Sequence, residues 1–310
     1  MAESLVPAAN RDSRIAVVGA GALGSVFASA LLDAGYEVSL LGRSPTPDIT
    51  VCEAPCSVQQ RALRVTTDRA AVAGAEFVLM LVKAYDTAAA TRGIAPYLSP
   101  DATIVSLQNG LGNVARIREH LAGPQRVLAG VTSQAARRVS AGLVLHTGTG
   151  PTIIGCADET EREAAETLAE ILRRSGLPTA VSGDIARYVW QKVAINAAVN
   201  GLTAVARVPN GELLRDPHLR RAAESILDEA AAIAAANGYE LCDIHATLAR
   251  TLATTAANRS SMLQDVEAGR LTEVDAIYGE LITAGAARGL AAPTLTVVDA
   301  LVRHASGTRE

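Results

Sequence analysis

Aromatic residues are scarce in this chain of 310: one Trp, two Phe and six Tyr make up 3% of it. Its core must therefore be assembled from Ala, Val, Leu and Ile, whose packing energy comes from many small contacts rather than a few large rings. No apolar run reaches the ~18 residues that would argue for a membrane-crossing helix. Charge of one sign is lacking too, with 28 Lys and Arg against 32 Asp and Glu for a net charge of −4. That excludes the basic field which draws proteins to nucleic acid or to an anionic membrane. Cysteine is sparse: Cys52 and Cys56 stand close together, but Cys156, Cys242 and the histidines form no second cluster at metal-ligand spacing. The expectation is four free thiols in a reducing cytoplasm, with no bound metal. The opening MAESLVPAANRDS lacks the basic and apolar regions of a signal peptide, so residues 1–13 are expected to be a frayed polar leader.

What the chain does have is an ordered run of signals from Arg14 onwards. Arg14–Val18 is a short β-branched run, GAGALG follows from Gly19 to Gly24, SVFASALLDAG has helical character, and YEVSLL is the next strand. Strand, glycines, helix and strand in that order are the context in which GxGxxG signals a dinucleotide site. Gly19 supplies the tight turn, Gly21 admits a pyrophosphate close to the backbone, and Gly24 lets the helix pack against the strand. Ala20, Ala22 and Leu23 complete the loop, and the free N–H groups of the helix start face the phosphates. The second strand ends in LLGRS. An NAD site usually carries Asp or Glu about 20 residues on, to hold the ribose 2′-hydroxyl. Arg43 stands there instead, which favours the 2′-phosphate of NADP(H) over a merely solvated loop arginine.

The alternation continues through AEFVLMLVK, ending in Lys83, and ATIVSLQNG, ending in Asn109-Gly110, with RVLAGV, LVLHTG and TIIG as further strand candidates. Ligands of open parallel sheets bind beyond the carboxyl ends of the strands, so Lys83 and Asn109 fall where polar groups meet a cofactor or substrate. Each is also compatible with a strand cap or a turn, since Asn-Gly alone is a common turn signal. After about Gly183 the β-type runs give way to helix-period segments punctuated by Pro209, Gly238, Gly289 and Pro293. The fold expected is α/β: a Rossmann-type dinucleotide-binding domain over 14–182, then an all-α domain over 183–310, with the active site in a cleft between them. The low-charge, Ala-rich helices of the second half are compatible with a homodimer.

One of those helices holds an oddity. QKVAINAAVN, Gln191 to Asn200, is apolar except for Lys192, Asn196 and Asn200 at a spacing of four. Positions four apart drift only ~40° round a helix, so the three form one stripe about 12 Å long. Val189, Val193, Ile195 and Val199 lie beside it. Buried polar groups cost free energy unless paired, and charges cost more, so the stripe is either internally bonded or faces a wet cleft. The plainer alternative for Lys192 is a side chain that snorkels to the surface. A desolvated lysine has its charged form disfavoured, which suits it to protonating a carbonyl oxygen as hydride arrives at carbon. The amides suit hydroxyl and carboxylate groups of a substrate.

Across almost its whole length the chain resembles the ketopantoate reductase (2-dehydropantoate 2-reductase) family. The residues that carry the resemblance are GAGALG, Arg43, Lys83, QNGLG around Asn109, AARR at Ala135–Arg138, KVAINAAVNGLTAV with VPNGEL, and SSMLQDVEAGRLTEVD. The resemblance implies NADPH-dependent reduction of ketopantoate to (R)-pantoate, in pantothenate and coenzyme A biosynthesis, and a helical half like the C-terminal domain of 6-phosphogluconate dehydrogenase. It implies Lys192 as general acid, and Asn196, Asn200 and Asn210 around the substrate's hydroxyl end. Ser261 would hold the substrate carboxylate, and Glu273 would close the site near the cofactor. Asn109 would touch cofactor and substrate, Lys83 and Arg43 the adenosine phosphate side, and Ala136 the cofactor through its backbone. Without the family, Ser260-Ser261 reads as a helix N-cap, Glu273 as a first-turn acid, and Asn210-Gly211 as a turn.

Three rival readings remain at the level of sequence. The β-hydroxyacid dehydrogenases also join a Rossmann domain to a helical one and use a lysine followed by an asparagine; the four-residue Lys192–Asn196 interval, Asn200 and SSMLQ speak against them. A paralogue with this site could reduce another branched 2-oxo acid. A non-catalytic NADP-binding redox sensor would not need both Lys192 and Glu273. The segment PTPDITVCEAPCSVQQRAL, after the second strand, has no assigned role.

Overall fold

The computed structural model describes residues 13–53, 62–156 and 159–307. The expected leader, all but Ser13, and the central part of the PTPDITVCEAPCSVQQRAL segment lie outside the described residues. The chain divides into two compact units. One takes the chain up to Gln108 together with Asn113–Ile185, and the other takes Asn109–Gly112 together with Ala186–Glu310. Four residues from the end of a strand therefore belong with the helical unit, which the domain bounds expected from sequence do not include.

The first unit holds an eight-stranded sheet. Its spatial order is Thr179–Ser182, Thr152–Gly155, Arg126–Thr132, Thr103–Ser106, Phe77–Met80, Arg14–Val18, Glu37–Leu41 and Val65–Thr66. All neighbours run parallel except Thr152–Gly155 against Arg126–Thr132. Parallel strands covered on both faces read as unbroken apolar runs. Phe77–Met80 and Thr103–Ser106 are buried at every residue. Alternate side chains serve opposite faces: Ile15 and Val17 pack into one core with Phe27 and Leu31, while Ala16 and Val18 pack into another with Val78, Ile104 and Ile117.

A second, four-stranded sheet was not expected from sequence as a sheet of its own. It runs Ala62–Leu63, Ile49–Glu53, Leu143–Gly148, Ala135–Ser140. The strand AARRVS is partly or fully exposed along its length, so no buried alternation announces it. Cys52, within Ile49–Glu53, corrects the expectation of four free thiols: it is disulfide-bonded. Cys156 and Cys242 are free, and Cys56 lies outside the described residues. Chain spacing alone does not reveal which thiols a strand brings together.

The second unit is helical. Its core gathers Val193, Ala197, Ala198, Ile226, Leu227, Ile233, Leu263, Tyr278, Leu281 and Leu295. The helix Ile185–Ala206 contributes one buried small residue after another, Ala194, Ala197, Ala198, Gly201 and Ala204 among them. No helix of the described residues is long and apolar enough to cross a membrane. The helix Pro293–Ala305 starts without a side-chain cap of its own. Glu229, from the helix Pro217–Ala236, accepts from the N–H groups of Thr294 at 2.9 Å and Leu295 at 2.7 Å. A carboxylate there satisfies two orphan donors and complements the positive end of the helix. Replacing it, Glu229→Ala, is expected to lower stability by about 1–2 kcal/mol, read as a lower urea midpoint at unchanged slope; an unchanged midpoint would discount this remote cap.

Candidate active site

In the first unit the glycine loop has the geometry its sequence predicts. Gly19 has φ +122, and a Cβ on it would stand 2.6 Å from the Leu81 backbone. A Cβ on Gly24 would lie 2.0 Å from the Gly19 carbonyl. These two glycines are required by the protein's own packing. Gly21 is different, since a Cβ there would meet nothing within 4 Å. The space over Gly21 is open on the side where a dinucleotide phosphate approaches. Gly21 is also the N-cap of the helix Ala22–Asp33, with no side-chain cap and no acid in the first turn. A helix start without a carboxylate of its own suits an anion. The residues present therefore fit a dinucleotide.

Arg43 lies just past the second strand of that motif, with its side chain 80% exposed. Its guanidinium donates from Nη1 to Asp86 Oδ2 at 2.9 Å and Oδ1 at 3.1 Å. Asp86 is a partner that the sequence did not suggest. Lys83 precedes the short turn Ala84–Asp86 in extended conformation, at the carboxyl side of Phe77–Met80. Ala136 pairs with His146 in the second sheet. Two residues further on, Arg138 donates from Nη2 to the Ala20 carbonyl at 2.5 Å. The AARR pattern by itself gives Arg138 no role. Only the fold puts its guanidinium on the glycine loop.

In the second unit, Lys192, Asn196 and Asn200 sit on the helix Ile185–Ala206 as one stripe, with Lys192 and Asn196 half-buried and Asn200 buried. Burial pulls the Lys192 pKa down to about 8, against the opposing pull of the Glu273 carboxylate. Some surface of Lys192 remains accessible, but its surroundings are dense enough to disfavour the ammonium. Glu273 is buried and accepts from Asn109 Nδ2 at 3.3 Å. So the unit brings Lys192, Glu273 and Asn109 into one electrostatic neighbourhood. Glu273 stands before the π-helical turn Asp275–Gly279 rather than in the first turn of an ordinary α-helix.

The two serines of SSMLQ divide their labour. Ser260 is the buried N-cap: its Oγ accepts from Leu263 N at 3.1 Å and from Thr203 Oγ1 at 2.8 Å. Ser261 is exposed at the first position of the helix Ser261–Glu267. The capping reading therefore belongs to Ser260. Thr203 lies seven residues after Asn196, so this bond pins the Ser261 helix to the stripe helix. Asn210 is buried, with Nδ2 donating to Thr255 Oγ1 at 2.9 Å. Its Oδ1 is buried without a hydrogen-bond partner among the described residues, a costly state unless a ligand or water answers it.

Two adjoining sequence models match the chain: one described as ketopantoate reductase PanE/ApbA over residues 15–159, and one for the C-terminal part of that family over 184–306. The chain belongs to the ketopantoate reductase PanE/ApbA family. Among the family's curated members, a 2-dehydropantoate 2-reductase of Archaeoglobus fulgidus is 36% identical, covering 90% of this chain and 93% of that one. A PanE/ApbA family ketopantoate reductase from Ralstonia eutropha JMP134, solved by crystallography, superposes with a TM-score of 0.85 at 30% identity. It covers 95% of this chain and 98% of its own. D-mandelate dehydrogenase, solved with NADH and anilino(oxo)acetate, reaches a TM-score of 0.87 at 24% identity, covering 95% and 99% of the two chains. That last likeness carries the fold alone.

Family membership gives the Lys192–Glu273 pair a chemical context, and the pair makes a direct prediction. A lysine-resolved NMR titration should place the Lys192 midpoint near pH 8. Because Glu273 favours the ammonium, Glu273→Gln should move the midpoint lower still. A midpoint at the ordinary lysine value in the wild-type protein would contradict the geometry.

Proposed function

We propose that this chain reduces ketopantoate to pantoate with NADPH, using Lys192 as the proton donor. The observation that carries this reading is the placement of Lys192, desolvated near Glu273 and on one helix face with Asn196 and Asn200, in a chain of this family. Bound NADPH supplies the hydride to the 2-oxo carbon. Lys192 Nζ gives its proton to the 2-oxo oxygen, so that carbonyl becomes hydroxyl and the charge developing on oxygen is never left unpaired. A lysine held near neutrality surrenders that proton more readily than a solvated one and can be re-protonated by solvent.

The remaining residues take supporting parts in the same proposal. Asn196, Asn200 and Asn210 hydrogen-bond the hydroxyl end of the substrate, and the unanswered Asn210 Oδ1 accepts a hydroxyl proton. Ser261, exposed at a helix start, receives the substrate carboxylate together with the N–H groups of that turn. Asn109 and Glu273 order the reacting end. Gly19, Ala20, Gly21, Ala22, Leu23 and Gly24 form the pyrophosphate cradle, with Ala136 contributing backbone. Arg43 and Lys83 carry the charge for the 2′-phosphate. Asp86 keeps the Arg43 guanidinium in place beforehand, at the cost of one negative charge near the anion. A cytoplasmic homodimer belongs to the same reading, supported by the Ala-rich helices and tested by sedimentation.

The deciding assay is NADPH consumption against a panel of 2-oxo acids that includes ketopantoate. Ketopantoate should give the highest kcat/KM, and a better branched 2-oxo acid would reassign the substrate. Lys192→Ala should lower turnover by roughly 10²–10⁴-fold while NADPH still binds; undiminished turnover would remove Lys192 as the acid. Because protonated lysine is the active form, kcat/KM for reduction should fall as pH rises through about 8, and the reverse oxidation should gain over the same range. Arg43→Ala should weaken NADPH far more than NADH, and an equal loss of both would separate Arg43 from the 2′-phosphate.

A further inference from the structure

In a regular α-helix each N–H closes on the carbonyl four residues back. At one turn of the helix Ile185–Ala206 a side chain from elsewhere in the second unit engages both members of such a pair. Gly201 N–H donates to the Tyr278 hydroxyl at 3.0 Å, and that hydroxyl donates to the Ala197 carbonyl at 2.5 Å. Tyr278 is fully buried and heads the fully buried side chains by volume among the described residues. Burial also raises its pKa well above the ordinary phenol value, which keeps it a neutral donor. Gly201 is what admits it: a Cβ at that position would lie 2.2 Å from the hydroxyl and 2.5 Å from Val298.

The engaged turn is that of the two amides. Ala197 directly follows Asn196, and Gly201 directly follows Asn200. The tyrosine arrives from the π-helical turn Asp275–Gly279, where Glu280 N–H reaches five residues back to Asp275. The carbonyl of the next residue, Ala276, accepts from Leu111 N–H at 2.9 Å. Single π-turns of this kind recur at functional sites. Ile277 N–H bonds back to the Glu273 carbonyl at 3.1 Å, so Glu273 and Tyr278 belong to one continuous turn. That segment therefore presents a carboxylate that acts on Lys192 and a hydroxyl that seats on the backbone of Ala197 and Gly201, the residues that follow the two asparagines.

We propose that Tyr278 is a positioning residue for 2-oxo acid recognition: its hydroxyl, seated on Ala197 and Gly201, sets the Asn196–Asn200 turn relative to the segment that carries Glu273. The proposal rests on the reading of Asn196 and Asn200 as substrate ligands. Tyr278 acts only through that turn and has no part in binding the dinucleotide. Removing the hydroxyl lets Gly201 N–H and Ala197 carbonyl bond each other alone, so the helix persists while its amides shift. Misplacements of an ångström in substrate-orienting groups are strongly felt.

The test is Tyr278→Phe, with NADPH and the 2-oxo acid best used by the wild-type protein. KM for the 2-oxo acid should rise about tenfold, with kcat changed by less than about threefold and NADPH affinity unchanged. In a background of Asn196→Ala with Asn200→Ala, Tyr278→Phe should add no further KM effect. An unchanged KM in folded Tyr278→Phe, or the full tenfold rise in that background, would overturn the proposal. Crystal structures of wild type and Tyr278→Phe test it independently of turnover, because Asn196 and Asn200 unmoved relative to Glu273 would also overturn it. If Tyr278→Phe does not fold, Gly201→Ala, which displaces the hydroxyl from the other side, is read by the same criteria; loss of folding in both would make the contact purely structural and overturn the proposal. Failure of the functional reading shows separately, as wild-type protein that turns over no 2-oxo acid.

Discussion

An ammonium desolvated by the protein around it, as that of Lys192 is, loses hydration worth several kcal/mol before any partner restores it. The second unit answers Lys192 with the carboxylate of Glu273, and the balance is incomplete: burial outweighs the attraction, and the pKa settles near 8. A fully compensated ion pair would hold its proton too firmly to act as an acid near neutrality. An uncompensated lysine would be deprotonated. The site therefore depends on the placement of Glu273, and Glu273 is placed from two directions. Asn109 holds its carboxylate, and the turn beginning at Val274 holds its backbone.

Asn109 can do this because of the two glycines that follow it. Gly110 has φ +93, and a Cβ on it would be 2.5 Å from the Ala276 side chain; Gly112 has φ +78, and its Cβ would be 2.8 Å from Glu280. The segment Asn109–Gly112 thus lies against the turn that follows Glu273, and Leu111 N–H caps the Ala276 carbonyl. This explains why those four residues belong to the helical unit although a parallel strand delivers them. The Asn-Gly pair that reads as a plain turn in the sequence is also the means of bringing an amide to a buried carboxylate.

What was legible in the sequence was local. GAGALG could be read because Gly19 and Gly24 answer to contacts inside the motif or just past a neighbouring strand that leave no room for a Cβ, while Gly21 leaves open space. The stripe could be read because a spacing of four maps directly onto a helix face. The buried strands could be read because both faces are covered. What was not legible depended on partners distant in sequence. Arg138 reaches Ala20 across 118 residues and Arg43 meets Asp86 across 43. Ser260 and Ser261 are indistinguishable until Thr203 claims one of them. The strand Ala135–Ser140 carries two exposed arginines and no apolar alternation, so only its partner Leu143–Gly148 defines it. Cys52 looked like a free thiol because spacing carries no three-dimensional information.

The scarcity of aromatics has a structural counterpart in the helix Ile185–Ala206. Ala194, Ala197, Ala198 and Ala204 are fully buried, and such small side chains let neighbouring helices approach closely. A core of this kind buries a polar stripe without large rings crowding it. Where a ring does enter, at Tyr278, Gly201 yields the space and the hydroxyl bonds the helix backbone on both sides. That insertion costs nothing in unpaired polar groups, since donor and acceptor are both satisfied. Its location is informative on physical grounds. A tyrosine used only as filler could sit against any turn of the helix, whereas this one bonds Ala197 and Gly201, each next to one of the two asparagines, and comes from the segment that holds Glu273. Shape and charge in the second unit are thereby set by the same few residues.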